Sequence, residues 1–378
     1  MKKILIIYAT AGIGHKKAAV AVKKALDEMR DENLEVSIID ALDYTNAFFK
    51  WTYLKFYLLM VNRLPTLWGI AYHLTNNFYV DKIVSWLRRF SNWMNSGRLV
   101  KYLLEFKPDV IISTHFFASE VISDMKMHGL SQSRMVTIVT DYRLHSWWVA
   151  DLTDAYVVGS EYAASDLLKL NVPASKIKLL GIPAEPVFSK SLDKSAILNK
   201  ESLRDGIFTI LVIGGGFGIG PIESIIKAIN KVSKIPIQAI AVCGHNGQLV
   251  EKLKHLKTAP EKYLKVMGFV DNVHEYMEVS DILISKSGGI TVAESMARNI
   301  PMIIIAPIIG QETRNSDFLV RKDAAVRLGR VRDLKGVLEE IASHPEKLAG
   351  MKESIKLIRK PTACYDIARL AVDMCGLP

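Results

Sequence analysis

The sequence predicts an α/β protein of two doubly wound, Rossmann-like domains facing each other across a cleft. Three observations predict it. Short apolar runs alternate with amphipathic stretches of helix length through both halves of the chain, the spacing of parallel sheets covered by helices. A stretch rich in Pro, Ser, Lys and Asp, 183–204, breaks that alternation once. Each half also opens on a strand that runs directly into a glycine-bearing turn. The expected division is an N-terminal domain over 1–185, a linker over 186–205 and a C-terminal domain over 206–378 that ends in helices.

Strand 4–8 comes first, then helix 16–30 and strand 35–39. The opening Met1-Lys-Lys and the apolar run after it imitate a secretory leader, but the run is short and a Lys-rich amphipathic helix follows, so a strand is the better reading. Further strands are expected at 110–113, 135–139, 155–158 and 178–180. Past the linker they recur at 208–213, 237–242, 264–267, 282–284 and 302–305, and 334–377 reads as helices. The longest apolar candidate for a membrane span, 54–72, is cut by Lys55, Asn62, Arg63 and Pro65. Cys243, Cys364 and Cys375 have no metal-ligand spacing and read as thiols of a reducing compartment. Apolar residues make up 49% of the chain, which excludes disorder, and a net charge of +10 favours a negatively charged partner.

One segment departs from simple alternation. Residues 43–97 carry 14 of the 32 aromatics, among them Phe48, Trp51, Phe56, Trp86 and Trp93, with Lys50, Lys55, Arg63, Arg88 and Arg89 interleaved. Ile83, Val84, Leu87, Phe90 and Met94 fall at helical spacing. Such a pattern suits a membrane surface, where Trp and Tyr sit among headgroups and basic residues meet anionic lipid. It equally suits a helical subdomain that packs its aromatics inward.

Several turns carry candidate chemistry. Gly12-Ile-Gly14-His15 lacks the third glycine of a dinucleotide fingerprint, since Lys17 stands there; Asp40, ending the second strand, keeps that reading weakly alive. His15 lies near a helix N-terminus, whose dipole disfavours the imidazolium, so a neutral base is expected, with simple helix capping as the other reading. Thr140-Asp141 leads to His145, Trp147 and Trp148, and Asp141 and His145 are candidates for a pair. His115, by default structural, ends the preceding strand.

In the second half the turn Gly214 to Gly220, with Gly215, Gly216, Phe217 and Gly218, allows backbone N–H groups close to a phosphate. Phe269 and Val270 follow a strand and can wall a base ring. Ser287-Gly288-Gly289 precedes a helix expected to start near Thr291, with Glu294 in its first turn, a ready anion site with a carboxylate for a ribose. A second loop, Gly310 to Asn315, bunches Gln311, Glu312 and Asn315, groups that suit a sugar ring. No D-x-D occurs, so a bound Mg²⁺ or Mn²⁺ is not expected and helix dipole and glycine amides would bear leaving-group charge.

Together these residues resemble glycosyltransferase family 28, closest to monogalactosyldiacylglycerol synthases and processive diacylglycerol β-glucosyltransferases, with the lipid-II-forming transferase more distant. Gly12, Gly14 and His15 with Ala18 and Ala19, the Thr140, Asp141, His145 and Trp148 pattern, Gly181-Ile-Pro183, Ser287 to Glu294, and Gly310 to Asn315 carry the resemblance. Ile13 stands where the family's turn often has another glycine. The resemblance implies a GT-B fold and an inverting, metal-independent and cofactor-free transfer from UDP-glucose or UDP-galactose to diacylglycerol, on the inner face of the cell membrane. His15, helped by Asp141, would act as base, and Gly12, Gly14, His145 and Trp148 would meet the acceptor. The turn at 214–218 would hold the diphosphate, Phe269 and Val270 the uracil, Glu294 the ribose, and Gln311, Glu312 and Asn315 the sugar. No nucleic-acid partner is expected. Two other readings are a UDP-sugar 2-epimerase of similar fold and a non-catalytic, UDP-sugar-sensing peripheral membrane protein.

Overall fold

The structure is a computed structural model that describes residues 1–376 other than Ala11, Asn77, Phe217, Ile219 and Lys234; for Leu54, Tyr57, Leu58, Val61, Asn62, Phe78, Tyr79 and 81–83 it describes the backbone alone. The chain divides into two units. The first takes Met1–Pro186, Ile309–Arg314 and the segment from Lys360 on, and the second takes Val187–Ile308 and Asn315–Arg359.

The first unit opens with β1 (Lys2–Tyr8), α1 (Ile13–Met29) and β2 (Leu34–Asp40). Ile4 to Ile7 of β1 are fully buried, and α1 buries mostly methyl-sized side chains, Ala18, Ala19, Ala21 and Ala25, so it lies close against the sheet. Four helices follow: α2 (Ala47–Arg63), α3 (Pro65–Thr75), α4 (Phe78–Asn95) and α5 (Gly97–Phe106). Asn46 starts α2 by accepting the Phe48 N–H at 2.9 Å, and Pro65 opens α3 where no N–H is needed. Then come β3 (Val110–Ser113), α6 (Phe116–Met127), β4 (Arg134–Ile138), β5 (Ala155–Val157), α7 (Glu161–Lys169) and β6 (Ile177–Lys178). The strands pair in parallel in the order β2-β1-β3-β4-β5-β6. β1 therefore has a neighbour on each side, and the crevice for a ligand opens where the chains leaving β1 and β3 part.

The aromatic segment has two sides. Phe49, Tyr53 and Trp93 pack onto a core with Leu5, Ile7, Leu99 and Phe117. Phe48, Trp51, Phe56, Trp86 and Phe90 are more than half exposed, and so is the Leu87, Phe90 and Met94 stripe of α4. The segment is a helical subdomain with a packed inner side that also presents an apolar outer side. Among the described residues no helix is long and apolar enough to cross a membrane.

The second unit begins inside the expected linker, where α8 (Lys194–Lys200) is capped by Asp193, whose carboxylate accepts the Ala196 N–H at 3.0 Å. β7 (Phe208–Ile213), α9 (Ile222–Ile229), β8 (Ile237–Val242), α10 (Gly247–Lys254), β9 (Lys262–Met267) and α11 (Val273–Glu278) follow. Next come β10 (Ile282–Ser285), α12 (Gly289–Ala297), β11 (Met302–Ile305), α13 (Gln311–Arg321), β12 (Ala325–Leu328), α14 (Leu334–Ser343) and α15 (Pro345–Ile358). The parallel order is β12-β11-β10-β7-β8-β9, so the reversal falls between β7 and β10. One core runs through this sheet and its helices, from Ile210 and Val212 to Ile226, Ile284, Ile303 and Leu338.

The last helix, α16 (Ala363–Met374), corrects the expected domain boundary. It belongs to the first unit, where Cys364, Ile367, Ala368 and Ala371 share a core with Ile4, Ile6, Val22 and Ile112. α1 and α16 thus pack onto the same core of that sheet.

Candidate active site

In the first unit the residues after β1 and β3 meet at the expected crevice. His15 is the third residue of α1, which is preceded by Gly12 as cap and has Gly14 in its first turn. Its Nδ1 lies 2.7 Å from the Thr114 carbonyl and 3.2 Å from Thr140 Oγ1, and the Thr114 hydroxyl donates back to the His15 carbonyl at 3.0 Å. A carbonyl only accepts, so Nδ1 carries the proton and Nε2 keeps its lone pair. Burial lowers the His15 pKa to about 4, partly offset by the Thr114 hydrogen bond. The ring is therefore neutral near pH 7, and desolvation is the cause.

His115 and His145 serve the backbone. His115 caps α6, its Nδ1 accepting the Phe117 N–H at 3.1 Å, and its ring meets the His15 ring edge-on at 4.5 Å. His145 accepts the Trp147 N–H on Nδ1 at 3.3 Å and donates from Nε2 to the Tyr72 carbonyl at 3.0 Å. Both His145 nitrogens are thus committed away from the expected pairing with Asp141, and the ring ties α3 to the rim of the sheet. Asp40 accepts from Thr10 and from the Leu42 N–H at 3.0 Å, bonds that tie the end of β2 to the turn after β1.

Burial pushes His145 down to about 4 as well. In the unfolded chain both imidazoles take up protons below about 6.5, whereas the folded protein resists until about 4. The unfolded state binds more protons in that window, so stability is lost as pH falls through it, by up to roughly 3 kcal/mol per histidine. Melting temperature should drop from about pH 6.5 downward, above the range in which carboxylates titrate; a flat profile between pH 7 and 5.5 would contradict this.

A cavity of about 220 Å³ joins His15 and Asp141 to an aromatic wall that includes Tyr53, Phe56, Trp68, Phe116, Trp147 and Trp148. Trp148 is only 3% exposed and belongs mainly to a core with Leu144 and Tyr156. Gln311 also lines the cavity, because 309–314 clusters with this unit. Gly310 makes that approach: its φ is +99°, and a Cβ would lie 2.9 Å from the Tyr72 ring. The expected Gly310 to Asn315 loop is instead the start of α13, closed by Thr313, whose hydroxyl donates to the Gly310 carbonyl at 2.9 Å. Glu312 is buried.

In the second unit the turn after β7 and the turn after β10 lie at the sheet's switch point. Gly215 and Gly218 have φ of +71° and +61°. The Gly218 N–H donates to the Gly215 carbonyl at 3.0 Å, and the His245 N–H to the Gly216 carbonyl at 3.0 Å. Phe217 lies outside the described residues. α12 starts at Gly289, two residues earlier than expected, with Thr291 in the first turn and Gly288 as a cap that makes no side-chain hydrogen bond. Glu294 is consequently not in the first turn; it is buried in the second, 4% exposed. Asn315 donates from Nδ2 to the carbonyl of fully buried Ser287 at 3.1 Å, which fixes the turn leading into α12. Phe269 is exposed and stacks on His245 with ring centroids 4.5 Å apart and planes 8° apart, while Val270 is half-buried. Sequence reading missed His245, which stands alone after β8 without a motif around it.

Comparison with known proteins adds the following. Residues 15–184 match the family described as monogalactosyldiacylglycerol (MGDG) synthase, and 209–364 match the glycosyltransferase family 28 C-terminal domain. A processive diacylglycerol beta-glucosyltransferase of Bacillus pumilus (strain SAFR-032) is 29% identical over 384 aligned positions, covering 100% of this chain and 96% of that protein. The fold is similar to that of MurG from Acinetobacter baumannii, at a TM-score of 0.63 and 15% identity over 99% of this chain and 100% of the other. It is also similar to a UDP-GlcNAc 2-epimerase from Neisseria meningitidis bound to UDP-GlcNAc, at a TM-score of 0.59 and 15% identity over 98% and 100%. At such identities these likenesses speak for the two-domain GT-B architecture and not for an activity.

Proposed function

Because the chain belongs to glycosyltransferase family 28, we propose that it moves a hexose, glucose or galactose, from a UDP-sugar to the free hydroxyl of diacylglycerol, forming a β-linked glycolipid. The observation that carries this reading is the first unit's cavity, where His15, its Nδ1 engaged by the Thr114 carbonyl and its Nε2 left as the basic nitrogen, shares the lining with aromatic side chains. His15 Nε2 takes the hydroxyl proton, Asp141 assists, the hydroxyl oxygen attacks C1 with inversion, and the C1–O bond to UDP breaks. Gly12, Gly14 and Trp148 shape the acceptor end, and His145 positions it.

On the donor side, the N–H groups of Gly215 and Gly216, in the turn that the Gly218 N–H closes onto the Gly215 carbonyl, and those of Ser287, Gly288, Gly289 and Thr291 hold the diphosphate without a metal. Phe269 on His245, with Val270, takes the uracil, Glu294 the ribose, and Gln311, Glu312 and Asn315 the sugar. The outer faces of α2 and α4, with Trp51, Phe56, Trp86 and Phe90 exposed, rest on an anionic membrane surface, and the net charge of +10 draws the protein to it. Its place would be the inner face of the cell membrane.

The fold is shared with a 2-epimerase, but an epimerase needs no apolar acceptor slot, and this favours transfer. The test is purified protein with radiolabelled UDP-glucose or UDP-galactose and diacylglycerol in anionic vesicles, products being resolved by chromatography, with and without EDTA. Labelled glycolipid is expected from one donor, at the same rate in EDTA. Epimerised sugar nucleotide formed without lipid, or UDP-sugar binding with no product, would replace this reading with one of its rivals.

A further inference from the structure

Beyond His15, the cavity wall holds two N–H donors that the reaction does not use. Arg88, on α4, donates from Nε to Glu120 Oε1 at 2.9 Å and also reaches that oxygen from Nη2. Glu120 is 4% exposed, and its other oxygen accepts from Asn92 Nδ2 at 2.7 Å. The carboxylate is thereby fully engaged, and the guanidinium is held in one orientation. Its plane lies over Trp147, 4.9 Å from the ring centroid, and over Phe116 at 5.8 Å. The remaining Arg88 nitrogen, Nη1, is buried, as is Trp147 Nε1, and among the described residues neither has a hydrogen-bond partner. Both side chains line the cavity that contains His15. Buried donors left unmet are costly, and a native protein keeps them where something comes to accept.

The charge balance says what kind of acceptor fits. Glu120 already neutralises Arg88, so a phosphate would gain little net attraction and would have to be desolvated. A neutral carbonyl oxygen has lone pairs for two donors at small desolvation cost. A chain of ring contacts leads from the base to this spot: His15 to His115 at 4.5 Å, His115 to Phe116 at 4.2 Å, Phe116 to Trp147 at 5.4 Å. In a diacylglycerol only a few bonds separate the free hydroxyl from an ester carbonyl. We infer that Arg88 Nη1 and Trp147 Nε1 form a carbonyl subsite that holds an acyl ester of the acceptor while its hydroxyl meets His15. This makes the enzyme selective for ester over ether glycerolipids, and it rests on the lipid-transfer reading above.

The experiment compares 1,2-diacylglycerol with the matching 1,2-dialkylglycerol, which has the same hydroxyl and chains but no carbonyl, as acceptors in the same vesicles. Wild type should prefer the diacyl lipid by about tenfold or more in kcat/KM, the scale of losing a hydrogen bond from a charged donor. In Trp147→Phe, which keeps the ring and removes the N–H, the ratio should fall toward one. Because the readout is a ratio within each protein, a general loss of active molecules does not move it. Equal use of the two lipids by wild type, or an unchanged ratio in Trp147→Phe, overturns the subsite, as would be found if ordered water filled it. Transfer to neither lipid would instead sink the lipid-transfer reading itself.

Discussion

Replacing His15 with Ala should lower turnover about 10²–10⁴-fold, the usual worth of a general base. The geometry gives the reason. The Thr114 carbonyl accepts the Nδ1–H hydrogen bond at 2.7 Å, which leaves Nε2 as the basic nitrogen, and burial brings the pKa to about 4. A base is active only when unprotonated, so activity owed to His15 is present above about pH 4 and lost below it. The acid limb of the kcat/KM profile should therefore lie near 4, well under the 6.5 of an ordinary histidine. UDP binding measured by calorimetry on the same variant separates lost chemistry from lost folding. A His15→Ala protein with full turnover would take the base role away from this residue.

The second large effect is expected at Gly218. Its φ of +61° is one that L side chains rarely adopt, and a Cβ there would sit 2.0 Å from the Cys243 carbonyl oxygen. That oxygen is backbone, so no rotamer change relieves the overlap, and the turn after β7 must move. Gly218→Ala should cost about 1–3 kcal/mol of stability from the strained backbone alone. The shifted turn should also weaken UDP binding by at least about tenfold, since the N–H groups proposed for the diphosphate lose their aim. Thermal melts with and without UDP check both effects together: the variant should melt lower, and UDP should raise its melting temperature less than it does for wild type. Unchanged UDP affinity would remove this turn from the donor site.

Both units were legible where burial dictates composition. The strands 110–113, 208–213, 237–242 and 302–305 are apolar runs, because a parallel sheet covered on both faces admits little else. β12 was missed because Ala325–Leu328 is a short edge strand whose Arg327 is exposed. The start of α13 read as a loop because Gln311, Glu312 and Asn315 are polar, and nothing local foretells Thr313 closing back on Gly310. At the site, His15 could be found because it sits in a motif between strand and helix. The duty of His145 could not, because it depends on the Tyr72 carbonyl, 73 residues away. Arg88 and Trp147 carry no motif, and their open donors exist only once α4 and the turn after β4 are folded together.

The return of α16 to the first sheet has a consequence for how the protein is made. Residues 363–374 leave the ribosome only after the whole second unit has been synthesised, yet they supply Cys364, Ile367, Ala368 and Ala371 to a core whose other members, Ile4, Ile6, Val22 and Ile112 among them, emerge before that unit. Until then one face of the N-terminal sheet stays partly bare, an opening for chaperones and for aggregation. A sheet whose strands precede the second unit is thus finished only after that unit has been made.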